Sequence, residues 1–259
     1  ASVDAFNIVI QGGAILAVLG LYRERVIQMI RGLLGRDAPG LKLAINIVIA
    51  FVPAVVLGVL LNDYIEDALF FAGPVLAALA LGGVYMILLD RWKIRVHLEA
   101  GDNDETTHTT DITDLSWRQA LIIGFMQTIA MIPGTSRSMM TITAGVLVGL
   151  RPRQAAEFSF LLGLPTLGGA CVYSLLKNLK ESSENGTPNM FEVIGWAPII
   201  AGLLVATISA ALAVKWLVGF LNRHGLEAFG WYRLALCALL GGLMLAGIVS
   251  IGAGEVGNG

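Results

Sequence analysis

Charge is what this sequence has least of. Only 14% of its 259 residues are Asp, Glu, Lys or Arg, while 56% are hydrophobic. Ordinary soluble domains carry about 25% charged residues. Mean hydropathy is +0.76. Such a balance excludes an ordinary solvated enzyme and points to an integral membrane protein. Cysteine is nearly absent too. Cys171 and Cys237 both sit in apolar runs and read as small buried hydrophobes, which leaves no disulfide framework and no Cys/His zinc motif. The three histidines, His97, His108 and His224, fall in polar connections and read as solvated. A net charge of −2 with no basic run gives no support to nucleic-acid binding. The chain opens on Ala1 with no charged-then-apolar signal segment, and is expected to begin partway into its gene product.

Long apolar runs are abundant. A spanning helix needs about 20 apolar residues, and the runs predict six: Phe6–Tyr22, Leu41–Leu61 with Pro53 inside, Ala68–Leu89, Ala155–Leu176, Ile194–Phe220 and Phe229–Ile251. A charged connection containing EAGDNDETTHTTD occupies residues 91–115 and reads as a flexible loop. After it, Trp117–Leu150 forms two apolar segments joined at PGTS, where Pro133 and Gly134 should break a helix.

Trp117–Leu150 is either one broken span or a re-entrant hairpin, and charge asymmetry separates the two, because cytoplasmic loops are enriched in Lys and Arg. The hairpin gathers Arg23, Arg25, Arg31, Arg36, Lys42, Arg91, Lys93, Arg95, Arg118, Arg151, Arg153, Lys215, Arg223 and Arg233 on one face and leaves Lys177 and Lys180 on the other. A crossing would scatter them. The short acidic loop NDYIED falls on the outer side. A first limb of Trp117–Ile132 would be about 24 Å long, past the midplane of a ~30 Å core, so the PGTSRS tip opens outward. The expected architecture is therefore an all-α polytopic membrane protein: six transmembrane helices and one re-entrant hairpin. That order suggests an inverted repeat, with residues 1–90 a first repeat lacking its N-terminal hairpin and 116–259 a second repeat carrying it at 117–150, all in one membrane domain. A faint overlay of AFNIVIQGG at 5–13 on EFSFLLGLP at 157–165 agrees.

The tip carries the chemistry. A helix starting after Gly134 presents N–H groups without intrahelical partners and a positive dipole end, which is an anion site. Arg137 adds a permanent cation with a fork suited to phosphate oxygens. Thr135, Ser136, Ser138 and Thr141 add hydroxyls, and the spacing of Arg137, Ser138 and Thr141 puts them on one helical side. The bland alternative is helix-to-helix hydroxyl bonding with a snorkelling arginine. An arginine this deep in a membrane is a functional candidate by default.

PGTSRSMMT at Pro133–Thr141 resembles the PGxSRSxxT motif of the undecaprenyl-pyrophosphate phosphatases of the bacitracin-resistance type. WRQALIIGFMQTIAMIPG, RQAAEFSFLLGLPTLGGA, VPAVVLG, VIQGGAILAV and WYRLAL also look like that family, so the resemblance covers essentially the whole chain. It implies hydrolysis of C55-isoprenyl pyrophosphate to the monophosphate, recycling the cell-wall lipid carrier and conferring bacitracin resistance. It also implies a bacterial plasma-membrane location with the tip on the periplasmic side, a divalent cation (Mg or Ca), and a polyprenyl pyrophosphate and the bilayer as partners. Whether the chain forms a homo-oligomer stays open. By the resemblance, Arg137 and Ser136 are catalytic, and Gly134, Thr135, Ser138 and Thr141 bind the pyrophosphate. Gln127, Glu157 and Gln11 are supporting candidates. The bland readings of Gln127 and Glu157 are a helix–helix hydrogen bond and an ion pair with Arg153. The family's other active-site segment, a Glu-xxx-Glu pair with an SSTGH-like turn that supplies carboxylates and a histidine or serine nucleophile, is not found in the 259 residues. The chain as given is therefore expected to be an inactive, N-terminally incomplete member, with its metal ligands in that segment. A lipid-phosphate transporter or flippase would use the same cradle.

Overall fold

The computed structural model describes residues 2–69, 71–100, 111–185 and 190–247. The only regular structure among them is helical: α1 (Ser2–Leu21), α2 (Arg23–Leu33), α3 (Ala38–Leu69), α4 (Ala72–Ala100), a 3-10 turn (Ile112–Asp114), α5 (Trp117–Ile129), α6 (Arg137–Leu147), α7 (Pro152–Asn185), α8 (Met190–Ile194), α9 (Trp196–His224) and α10 (Glu227–Leu245). Five stretches are long and apolar enough to cross a membrane: Ala38–Leu61, Ala72–Trp92, Pro152–Glu184, Trp196–His224 and Glu227–Leu245; α1 holds a shorter apolar stretch, Asn7–Leu21. The protein is an all-α, multi-pass membrane protein. Helices suit that solvent, because a lipid-embedded segment must satisfy its backbone internally and each helix does so alone.

Helices outrun the apolar runs. α3 continues through the NDYIED stretch, and α4 through Ala100, into the stretch read as a loop. Residues 101–110 of that loop, with His108, and the last residues of the sixth predicted run (248–251) lie outside the described residues. Prolines 53 and 165 sit inside α3 and α7 without ending them.

The chain divides into two compact units. The first comprises Ala1–Ile47 and Glu157–Gly219. Its apolar centre is Ile8, Val9 and Ile199, packed by Cys171, Leu175, Phe191, Ile194 and Leu203. α1 lies close against α9 at Gly13, where an added Cβ would stand 2.5 Å from the Ala206 Cβ. α2 was hidden in the sequence as a basic connection. It turns back on the start of α3, with Gly32 against the Leu41 backbone and Gly40 against the Gln28 carbonyl. The Asp37 carboxylate accepts from Gly40 N–H at 2.7 Å, holding that corner.

The second unit comprises Val48–Ala156 and Phe220–Gly259. α4 and α10 run antiparallel: Asp90 meets Leu226 and Glu227, Gly83 meets Gly230, and Cys237 meets Leu76. At the crossing an added Cβ on Gly230 would stand 2.6 Å from the Gly83 carbonyl oxygen, the close backbone approach that small residues allow between membrane helices. The Asp90 carboxylate accepts from the N–H groups of Leu226 (3.0 Å) and Glu227 (2.9 Å), capping α10 from the neighbouring helix. Arg91 bonds Glu227 beside it at 2.7 Å.

The same unit contains the helical hairpin. Ser116 and Gln119 form a capping box at the start of α5, which satisfies two of the helix's orphan donors. The Gln119 Nε2 also donates to the Val148 carbonyl at 2.8 Å, tying the base of α5 to the end of α6. Gly124 sits against the Ala50 backbone of α3. α5 is shorter than the predicted limb, ending at Ile129. The N–H groups of Ala130, Met131 and Ile132 then bond three residues back, at 3.0, 3.1 and 3.1 Å. This tighter coil carries the limb on to Ile132, so the limb keeps about the expected reach.

Candidate active site

The tip between α5 and α6 is a turn that only particular residues can make. Gly134 has φ +94, a region side chains avoid, and its α-carbon faces the Val75 carbonyl of α4, which leaves no room for a Cβ. Two residues on, Ser136 has φ +71, the one non-glycine with positive φ among the described residues. A non-glycine held there costs of order 1–3 kcal/mol and marks a position the surroundings over-determine. Ser136 is also the residue before α6, yet its hydroxyl makes no bond to the helix N–H groups. It stands exposed, with its Oγ 3.4 Å from that of Ser138. The first N–H groups of α6 thus keep their positive end uncapped by a side chain.

Arg137 begins α6. Its Nη1 is buried and has no hydrogen-bond partner. A buried unmade bond on a charged donor is expensive, and this one sits at a helix N-terminus beside a strained serine. Together these three features form a cationic, donor-rich notch in which the Arg137 Nη1 has no acceptor.

The remaining candidates separate. Thr135 is buried and donates its hydroxyl to the carbonyls of Ile132 (2.6 Å) and Ile129 (3.2 Å), closing the end of α5. Thr141 is 2% exposed and donates to the carbonyls of Arg137 (3.0 Å) and Ser138 (3.3 Å). With these protons engaged, Thr135 and Thr141 shape the turn, and Ser136 and Ser138 are the hydroxyls at hand. Gln127 is 3% exposed on α5, and neither end of its carboxamide has a hydrogen-bond partner. Glu157 and Gln11 belong to the first unit. Glu157 bonds Arg25 Nε at 2.8 Å, a partner other than the Arg153 of its bland reading. Gln11 is exposed on α1.

One residue was misassigned from sequence. Arg233, counted with the basic cytoplasmic face, lies inside the α10 span and is 8% exposed. Its Nη2 donates to the Gly134 carbonyl, and its Nε to the Leu79 carbonyl at 3.4 Å. The signal was available: an arginine seven residues into an apolar helix is as costly as Arg137.

Beside the tip lies an apolar cavity of about 370 Å³ between α4 and the hairpin, with Leu81, Tyr85, Ile129, Ile132, Thr135 and Met139 in its lining.

Residues 1–239 match the family of the bacitracin resistance protein BacA. The chain belongs to that family. It is 39% identical over 241 residues to undecaprenyl-diphosphatase 3 of Acinetobacter baylyi, covering 93% of this chain and 83% of that protein. It is 42% identical over 234 residues to the undecaprenyl-diphosphatase of Sorangium cellulosum (90% and 71%). To that of Pseudomonas syringae pv. tomato it is 41% identical over 236 residues (91% and 78%). The match runs through both units and includes the tip.

The residues at this BacA-family tip do not suit the divalent cation implied by the resemblance. Pro133–Thr141 contains no carboxylate. Two guanidiniums approach it, and no group of three or more His, Cys, Asp or Glu able to hold a metal occurs among the described residues. Hard divalent ions take carboxylate and carbonyl oxygens, so no step is routed through a metal here.

Proposed function

We propose that this protein is an undecaprenyl-diphosphate phosphatase of the bacterial plasma membrane, that Trp117–Leu150 re-enters the membrane from the cytoplasmic side, and that its tip binds the pyrophosphate on the outer side. The observation that carries this is the unpartnered, buried Nη1 of Arg137 at the uncapped start of α6. A pyrophosphate oxygen supplies the missing acceptor. The names of the similar proteins support the polyprenyl substrate. The cavity beside the tip supports it too, because a lipid phosphate needs an apolar channel next to its anion site.

Phosphoryl transfer depends on positioning and charge stabilisation more than on covalent chemistry by the protein. Water adds to the terminal phosphorus, the P–O–P bridge breaks, and the electron pair leaves with the bridging oxygen to give the prenyl monophosphate and inorganic phosphate. Arg137 and the α6 N–H groups face that accumulating charge, and Ser136 and Ser138 orient the oxygens. These residues bind and neutralise. None of them is a carboxylate base, and no Glu-xxx-Glu pair stands elsewhere in the sequence. The chain as given therefore binds pyrophosphate without turning it over. In a setting where turnover is complete, the activity contributes to bacitracin resistance.

The test is calorimetric binding of farnesyl pyrophosphate in detergent, alongside phosphate release and transport into sealed vesicles. The chain is expected to bind, and Arg137→Met to lose binding while keeping its fold. Unchanged binding by Arg137→Met removes the tip as the site. Phosphate release by the chain overturns the inactivity. Passage across vesicles without hydrolysis favours a carrier.

A further inference from the structure

We propose that Arg233 is a positioning residue that holds the tip in its anion-ready shape. The proposal rests on the reading of the tip as a pyrophosphate site, and its test separates the two.

The case begins with what Arg233 contacts. It projects from α10, within a stretch apolar enough to span a membrane, and it is buried. A cation placed there needs a reason. Its guanidinium donates to two backbone carbonyls from two different elements: Leu79 on α4 and Gly134 in the tip. Among the described residues, no carboxylate forms an ion pair with it. A cation inside a membrane pairs with an acid or with backbone carbonyls; this one spends its donors on carbonyls, one of them at the tip.

The choice of carbonyl matters. Gly134 is the left-handed corner immediately before Thr135 and the strained Ser136. Drawing its carbonyl oxygen toward α10 fixes the orientation of the Gly134–Thr135 peptide plane and turns an acceptor away from the anion site. A carbonyl oxygen facing the notch would repel a phosphate; held by Arg233 it cannot turn there. The same contact ties the corner to α10 while its α-carbon faces the Val75 backbone of α4, so both helices hold the turn. The fixed corner then leaves Ser136 little freedom to leave φ +71.

Access for the guanidinium is arranged as well. Gly82 lies beside it, and an added Cβ there would stand 3.0 Å from Arg233 Nη2 and 3.2 Å from both the sulfur and the methyl carbon of Met139. The glycine leaves the passage through which the guanidinium reaches the tip.

The experiment uses the whole chain in detergent, with Arg233→Met, Arg233→Lys and Gly82→Val, and two readouts. The first is farnesyl pyrophosphate affinity, measured well below the melting transition of each variant. The second needs no ligand: the rate at which a polar maleimide labels Ser136→Cys in each background. Arg233→Met is expected to weaken binding about tenfold, the equivalent of one interaction of 1.4 kcal/mol, and to speed labelling. Arg233→Lys, which keeps the charge and loses the fork, should recover part of both. Gly82→Val keeps the arginine and crowds it, and should move both in the same direction as Arg233→Met; it also serves if Arg233→Met does not fold. Unchanged labelling in the folded variants overturns the positioning role. If the parent chain binds no pyrophosphate, the functional reading fails, and labelling alone decides whether Arg233 holds the tip. If affinity falls only in proportion to melting temperature across the variants, Arg233 is a packing residue and the proposal is wrong.

Discussion

Gly134→Ala is the smallest change that should dismantle the tip. Two costs can be worked from the structure. At φ +94 an L side chain is strained, at about 1–3 kcal/mol. The new methyl would also overlap the Val75 carbonyl oxygen and lie 3.1 Å from the Val75 carbonyl carbon and 3.2 Å from its Cα. Those are backbone atoms of α4, so no rotamer change relieves the overlap. The turn must move away, and the Arg233 bond to the Gly134 carbonyl goes with it, a charge-assisted contact worth about 1.5–3 kcal/mol. The sum is roughly 2.5–6 kcal/mol, a large share of a typical stability of about 5–15 kcal/mol. It can surface in two ways. If the tip stays docked, the melting temperature falls. If the tip lets go, stability is kept and pyrophosphate affinity drops by roughly a hundredfold or more. Thermal unfolding and calorimetric binding on the same preparation cover both, with Gly168→Ala as the control: a Cβ there meets nothing within 4 Å, and replacing a helical glycine with alanine gains about 1 kcal/mol. If Gly134→Ala matches the parent in both measurements, the account of the turn is refuted.

Two further outcomes follow from neighbouring residues. Ser136→Gly removes the strain at φ +71 and should raise stability by about 1 kcal/mol while weakening pyrophosphate binding; a variant that is no more stable would mean the residue is not held under strain. Asp90→Ala removes both carboxylate bonds to the start of α10. A loss of about 1–2 kcal/mol with faster hydrogen exchange at Leu226 and Glu227 is expected, and unchanged exchange would count against the cap.

The spanning helices were legible because the bilayer imposes a length and a composition that a sequence shows directly. Their ends were not, since α3 and α4 continue into polar residues that no membrane rule governs. α2 was read as a basic connection because its amphipathic RERVIQMIRGL is too short to stand out, and it is placed by glycine contacts with the start of α3. The tip was legible as a break at Pro133 and Gly134, with Arg137 at the start of the helix that follows. The division of labour among its hydroxyls was not, because whether Thr135 or Ser136 points at backbone depends on the φ angles of the turn. Arg233 was counted by charge and assigned to a face. Its true place depends on a carbonyl 99 positions away in sequence, which no local pattern encodes.

The cap at Asp90 has a consequence at the other end of the same helix pair. A helix advances 1.5 Å and turns about 100° per residue. Were α10 to slip along α4 by a single residue, the Arg233 guanidinium would arrive at the wrong height and facing the wrong way. Asp90 grips the first N–H groups of α10, and the glycine at position 225 fits against that carboxylate with φ +66 and no room for a side chain. Six residues on, α10 delivers Arg233 level with Leu79 and the tip. The carboxylate at the foot of the pair thus acts as an indexing stop, and the alignment of the proposed anion site is set about 22 Å away, the fifteen residues of α4 that separate Asp90 from Val75 beside the tip.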